Sequence, residues 1–168
     1  MIPELNLQRY VGLESGPFLA WDAVNAPMIR HWCEVMGDRN PLYSDGSVAP
    51  PTMLQVWGMP GYGGKYAPGS SEGGQFAVRD VLVAAGYVGV VAVNCEQKYL
   101  RYLQEGDRIY FSSRCESISD LKTTALGEGY FLEELSTYYN QRDEIVGTMS
   151  FRLLIYKSGE QDVEQGGE

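Results

Sequence analysis

The segment Ile109-Tyr110-Phe111-Ser112-Ser113-Arg114-Cys115-Glu116 decides the fold class. Ile109, Phe111, Ser113 and Cys115 alternate with Tyr110, Ser112, Arg114 and Glu116, the period of two expected of a half-buried strand. Working outward, Glu105-Gly106-Asp107 is a turn before it, and Ser119-Asp120 turns the chain after it. Val88 to Val93 is an apolar, β-branched run that continues through Cys95 towards Tyr102. Thr123 to Tyr139 reads as one long strand, with a bulge or close backbone contact at Gly127 and Gly129. Asn140-Gln141-Arg142-Asp143 is a hairpin loop. Ile145 to Tyr156 closes the series, with Met149, Phe151, Leu153 and Ile155 on one face.

The chain before Tyr87 has a different pattern. The first 25 residues are irregular, with one strand near Phe18-Leu19-Ala20-Trp21. Asn25 before Ala26-Pro27 reads as a helix start, a side-chain cap followed by proline in the first turn. Ile29, Trp32, Cys33 and Met36 recur at helical spacing, and Gly37 is placed to stop the helix. His31 lies beside that stripe. Asn40-Pro41, Asp45-Gly46 and Pro50-Pro51 mark a loop. Pro51 opens a second helix, Thr52 to Gly58, and a third covers Phe76 to Ala85. Between them, Pro60 to Gly74 is a glycine-rich loop, mobile over a site or inserted at the surface. One strand, then helices, then about four long antiparallel strands predict an α+β domain, a curved sheet wrapped round one helix. Such a sheet keeps an open edge, which favours pairing with another copy or a relative.

The 168 residues carry 13 Lys+Arg against 22 Asp+Glu, a net charge of −9. That balance argues against a nucleic-acid partner. Glu160, Asp162, Glu164 and Glu168 crowd the end of the chain. We therefore expect a domain over 1–158 and an acidic, disordered tail over 159–168. No basic, apolar leader and no membrane-length segment is visible, which predicts a cytoplasmic protein without a membrane partner. Cys33, Cys95 and Cys115 form no CxxC pair and read as buried thiols, with no metal site. Gly61 to Tyr66 is not a phosphate cradle, since Met59 and Tyr66 stand where a P-loop requires Gly and Ser/Thr. His31 is the only histidine, so a mechanism needing two from one chain is excluded.

Gly37-Asp38-Arg39-Asn40-Pro41-Leu42-Tyr43-Ser44-Asp45, followed by Val48-Ala49-Pro50-Pro51-Thr52, carries the chemistry. It resembles the MaoC-type (R-specific) enoyl-CoA hydratase/dehydratase family. That family's motif runs G-D-x-N-P-[aliphatic]-H-x-[DE], then an A-H-G-like turn into the central helix of a hot-dog fold. Glu105-Gly106-Asp107 is similar to the family's P-G-D turn. Phrases such as Ala49-Pro50-Pro51-Thr52-Met53-Leu54-Gln55-Val56-Trp57 and Gly127-Glu128-Gly129-Tyr130-Phe131 resemble most the MaoC domain of the heteromeric steroid side-chain hydratases of cholesterol degradation.

The family's reaction adds water across a 2-enoyl thioester. It needs a base for the water, an acid for Cα and amide donors for the thioester oxygen. The resemblance assigns the proton work to the motif's Asp and His. Here Asp38 is kept, but Tyr43 occupies the histidine position, and a phenol is a poor base near neutrality. The A-H-G turn is Ala49-Pro50-Pro51, and proline has no N–H. His31 lies seven residues before Asp38, about 10 Å away along the helix.

The resemblance therefore implies a subunit that completes a double hot dog and shapes the acyl pocket, while a MaoC-like partner carrying Asp and His does the chemistry. The substrate implied is a bulky 2-enoyl-CoA such as a steroid side-chain thioester, with no cofactor beyond that thioester. Asp38 is the residual catalytic position, and Tyr43, Met53, Trp57 and Tyr62 are the substrate-binding candidates. Met53 and Trp57 also read simply as core, and Asp38 as a turn cap. Related proteins continue into a zinc-ribbon/OB domain that binds a thiolase-like aldolase. Two other readings stay open: a self-sufficient homodimeric hydratase using Asp38, and a non-catalytic acyl-CoA-binding or assembly module.

Overall fold

A computed structural model describes residues 5–71 and 77–158. The strands are β1 (Glu14–Leu19), β2 (Gly89–Tyr99), β3 (Tyr110–Ile118), β4 (Lys122–Thr124), β5 (Gly127–Tyr139) and β6 (Ile145–Lys157). All pair antiparallel in one sheet of order β1-β3-β5-β6-β2, with β4 on β5. The helices are α1 (Ala26–Met36), α2 (Leu54–Trp57) and α3 (Ala77–Ala84). The α+β hot-dog reading holds. No described helix is long and apolar enough to cross a membrane. The expected tail, 159–168, lies outside the described residues.

Local rules place most boundaries. Asn25 Oδ1 accepts the Met28 N–H at 3.0 Å, and Gly37 closes α1 in the left-handed region at φ 66°. Asn140 closes the β5–β6 hairpin, its side-chain oxygen accepting the N–H groups of Arg142 and Glu144.

Two strand expectations need correction. β1 begins at Glu14 and ends before Trp21, because its ladder to β3 starts at Glu14↔Arg114. Thr123 to Tyr139 is two strands. Gly127, at φ 125°, breaks the run, and the Thr124 hydroxyl donates to its carbonyl at 2.8 Å, closing the β4–β5 turn. Gly129 is the expected close contact, since a Cβ there would overlap the Ile155 carbonyl oxygen.

The larger correction concerns the helical layer. Tyr138, Ser136, Glu134 and Leu132 alternate onto one face of β5, beside Met149, Phe151 and Leu153 on β6. No single helix covers that face. α2 covers one end, where Met53, Leu54 and Trp57 pack with Phe18, Phe111, Tyr138 and Met149. α3 covers the other, where Val78 and Leu82 pack with Leu7, Ile118, Leu132 and Ile155. α2 stops for two local reasons. Pro60 pushes Met59 out of helical geometry, and Gly58 touches the rings of Phe111 and Tyr138 so closely that a Cβ would lie 3.0–3.3 Å from them.

The three cysteines are unpaired. Cys33 and Cys115 are half-buried, but Cys95 is exposed, against the expectation of buried thiols, because nothing described covers its side of β2.

Candidate functional site

The motif sits where α1 ends. Gly37 turns the chain, and the Asp38 N–H donates back to the Cys33 carbonyl at 2.9 Å. Asp38 Oδ1 then accepts the Asn40 N–H at 2.9 Å, and Asn40 Oδ1 accepts the Leu42 N–H at 3.0 Å. Each side chain replaces a backbone acceptor in the next turn, the usual use of Asp and Asn at such places. Asp38 is thus a turn cap whose carboxylate still borders a cleft of about 430 Å³, together with Arg30, Cys33, Arg39, Asn40 and Tyr43.

Tyr43 is buried, with its ring centroid 6.4 Å from that of Tyr102. Burial, then the charge and hydrogen bonding of Tyr102, then Asp38 push the Tyr43 phenol up from its ordinary value. At neutral pH it is therefore a worse base than a free phenol. Cys33 is pushed the same way by burial and by Asp38. His31 is exposed on α1 and is not among the residues bordering the cleft.

The Ala49-Pro50-Pro51 turn packs inward. Ala49 is fully buried, its N–H donating to the Leu103 carbonyl at 2.9 Å, and the Met53 N–H donates to the Pro50 carbonyl at 3.0 Å. Pro50 and Pro51 have no N–H and so cannot donate a hydrogen bond there. Met53 and Trp57 share one apolar cluster with Tyr43. The Trp57 indole N–H is buried without a hydrogen-bond partner among the described residues. Tyr62 stands apart, fully exposed. The described part of its loop is tied along β1 rather than swinging free: Ala67 N–H donates to the Leu19 carbonyl and Ser71 N–H to that of Pro17.

One feature escaped sequence reading. Asp107 is buried. It pairs with Arg101 at 2.8 Å and accepts the Gln104 N–H at 2.9 Å, fixing the β2–β3 connection that carries Tyr102. Its sequence signal was the Glu105-Gly106-Asp107 turn, which marks a bend without revealing burial. The open edge expected of the sheet is β2, which pairs with β6 alone. Val88 just before it, Val90, Val91, Val93 and Tyr99 along it and Leu100 just after it are exposed. A long apolar edge strand left uncovered is a template for pairing with another chain.

This sheet with two short helices, and an Asp38-Tyr43 cleft at the end of α1, define a MaoC-like hot-dog domain. The family described as FAS1-like, dehydratase domain region, matches residues 10–149, and the chain belongs to it. A probable enoyl-CoA hydratase alpha subunit from Thermomonospora curvata is 43% identical over 92% of this chain and 52% of its own length. The 3-oxo-4,17-pregnadiene-20-carboxyl-CoA hydratase alpha subunit of Mycobacterium tuberculosis is also 43% identical, over 85% of this chain and 48% of its own. The chain thus spans about half the length of these relatives. Among solved structures, the ChsH1-ChsH2 complex from Mycobacterium tuberculosis contains a chain 39% identical, with a TM-score of 0.78, covering 87% of this chain and 90% of that one. A double hot-dog pairing is supported by that complex.

Proposed function

We propose that this chain is the alpha-type subunit of a heteromeric enoyl-CoA hydratase that adds water to a bulky 2-enoyl-CoA. A MaoC-like partner supplies Asp and His, and this chain shapes the acyl pocket. The observation that carries the reading is Tyr43: the position that needs a base holds a buried phenol pushed above its ordinary pKa. The partner's dyad takes the proton from water as its oxygen adds to Cβ, and returns a proton to Cα. The reaction needs the thioester and water as reactants, with no further cofactor. The partner pairs along β2, whose exposed valines it covers. A steroid side-chain thioester is the substrate favoured, because a 43% identical relative is named for a pregnadiene carboxyl-CoA. A thiolase-like aldolase and a zinc-ribbon/OB protein are further partners in this reading.

The test is reconstitution. Co-purification from native lysate with mass spectrometry identifies the partner. Hydration of crotonyl-CoA and of a steroid side-chain enoyl-CoA is then measured with each protein alone and with both. This chain alone is expected to be inactive, and the pair active. Full activity in the isolated chain, lost in Asp38→Ala, would overturn the reading in favour of a self-sufficient hydratase.

A further inference from the structure

Between the two apolar clusters, the covered face of the sheet turns polar. Ser136 on β5 faces Ser113 on β3, and Glu134 faces Cys115. Ser113 and Ser136 are buried. The start of α3 and the chain entering β1 close over this patch and leave a cavity of about 190 Å³, bordered by Tyr10, Ser15, Val78, Ser113, Cys115 and Glu134. We propose that this cavity is a subsite for the far end of the acyl group, an oxygen-bearing ring whose carbonyl or hydroxyl is held by the Glu134 carboxyl and the Ser113 hydroxyl. The inference rests on the acyl-pocket reading above.

Three observations support it. The volume suits one ring, since an apolar cavity of about 150 Å³ takes up benzene. The walls combine an apolar side from α3 with a few convergent polar groups, as ligand pockets do. Moreover, no hydrogen bond among the described residues reaches the Glu134 carboxyl or the Ser113 hydroxyl, and both residues border the cavity, so a ligand there can bond to them. Burial pushes Glu134 up to about 7, against the opposing pull of Arg79. A good share of it is therefore protonated near neutrality and able to donate to a carbonyl, which a carboxylate cannot do.

The other ionisable groups around it are Arg79 on α3, Glu14 on β1, Tyr10 before β1, and Cys115 and Glu116 on β3. A Glu134→Gln variant keeps them all and keeps a donor, so it isolates the titration of Glu134.

The experiment is calorimetric binding of two saturated steroid side-chain CoA thioesters to the full chain, paired with its partner where reconstitution yields one. One probe carries a ketone on the ring farthest from the thioester, and the other lacks it. At pH 6 the ketone probe is expected to bind about tenfold more tightly, the value of one buried hydrogen bond. Glu134→Leu should abolish that preference without weakening the plain probe. Glu134→Gln should keep it at every pH, while the native preference fades above pH 8. Thermal melts by circular dichroism check the fold of both variants. Equal binding of the two probes, an equal loss for both in Glu134→Leu, or binding of neither would overturn the subsite. Crotonyl-CoA turnover by the pair reports separately on the hydratase reading: turnover without a ketone preference sinks the subsite alone, and a preference without turnover sinks the hydratase alone.

Discussion

Tyr43 and Tyr102 pack ring against ring, with centroids 6.4 Å apart and planes inclined at 53°, so the motif loop meets the β2–β3 connection. In the proposed pairing, Tyr43 is a packing and fastening residue rather than a proton carrier. Tyr43→Phe keeps the ring contact and should change stability by about 1 kcal/mol or less, and leave the pair's hydration rate within about threefold. Tyr43→His should not make the isolated chain active, because Pro50 and Pro51 still provide no oxyanion donors. Steady-state kinetics and thermal melts read both outcomes.

Asp38 separates the two hydratase readings. As a turn cap, Asp38→Asn should be nearly neutral, since its oxygen still accepts the Asn40 N–H, and Asp38→Ala should cost about 1 kcal/mol. The pair's turnover is expected to change less than threefold in both. A loss of 100-fold or more in Asp38→Asn at unchanged stability would make Asp38 a catalytic group.

The Arg101–Asp107 pair is the buried ionic contact most exposed to damage by a single change. Asp107→Ala leaves the Arg101 guanidinium, itself largely covered, without that partner. Removing one member of such a pair costs about 3–5 kcal/mol, a fall of about 6–20 °C in Tm for a domain of this size. Differential scanning calorimetry checks it.

Glu134 makes a stability-versus-pH prediction. Its folded value, about 7, lies above the ordinary 4.5. Between these values the folded state holds the proton more tightly than the unfolded chain. The resulting stability is fully present below about pH 4.5 and is lost as pH rises through about 7. The change is on the order of 2–3 kcal/mol. Glu134→Gln should flatten the stability profile between pH 5 and 8, as urea unfolding at several pH values would reveal.

The β2 edge predicts how pairing can be broken. Val93 is 48% exposed and sits at the irregularity in the β2–β6 ladder. Val93→Lys should change the chain's own stability by about 0.5 kcal/mol or less and weaken association with the partner at least tenfold, since edge charges oppose strand pairing. Sedimentation and co-elution of the two proteins measure it.

Much of this was legible from residues next to one another. Asn25 and Gly37 bound α1, Asn140 to Asp143 make the hairpin, and alternation along 109–116 and 145–156 predicts which side chains share a face. These are properties of a few consecutive backbone units, so a single sequence carries them. The break in the strand expected over 123–139 leaves little trace in the sequence, because a turn at Ala125-Leu126 without proline gives a weak signal and Gly127 can mean either a bulge or a break.

By itself, then, the sequence determined the α+β class, the motif and its two departures at Tyr43 and Pro50-Pro51, because residue identity decides whether a proton or an amide donor is there at all. Tertiary structure decided what those residues are set against. It placed α2 and α3 at opposite ends of one face, left Glu134 and Ser113 in the gap between them, buried Asp107 and left the valines of β2 uncovered. Those outcomes depend on contacts between residues far apart in the chain, and a residue's burial is a property of its neighbours in space.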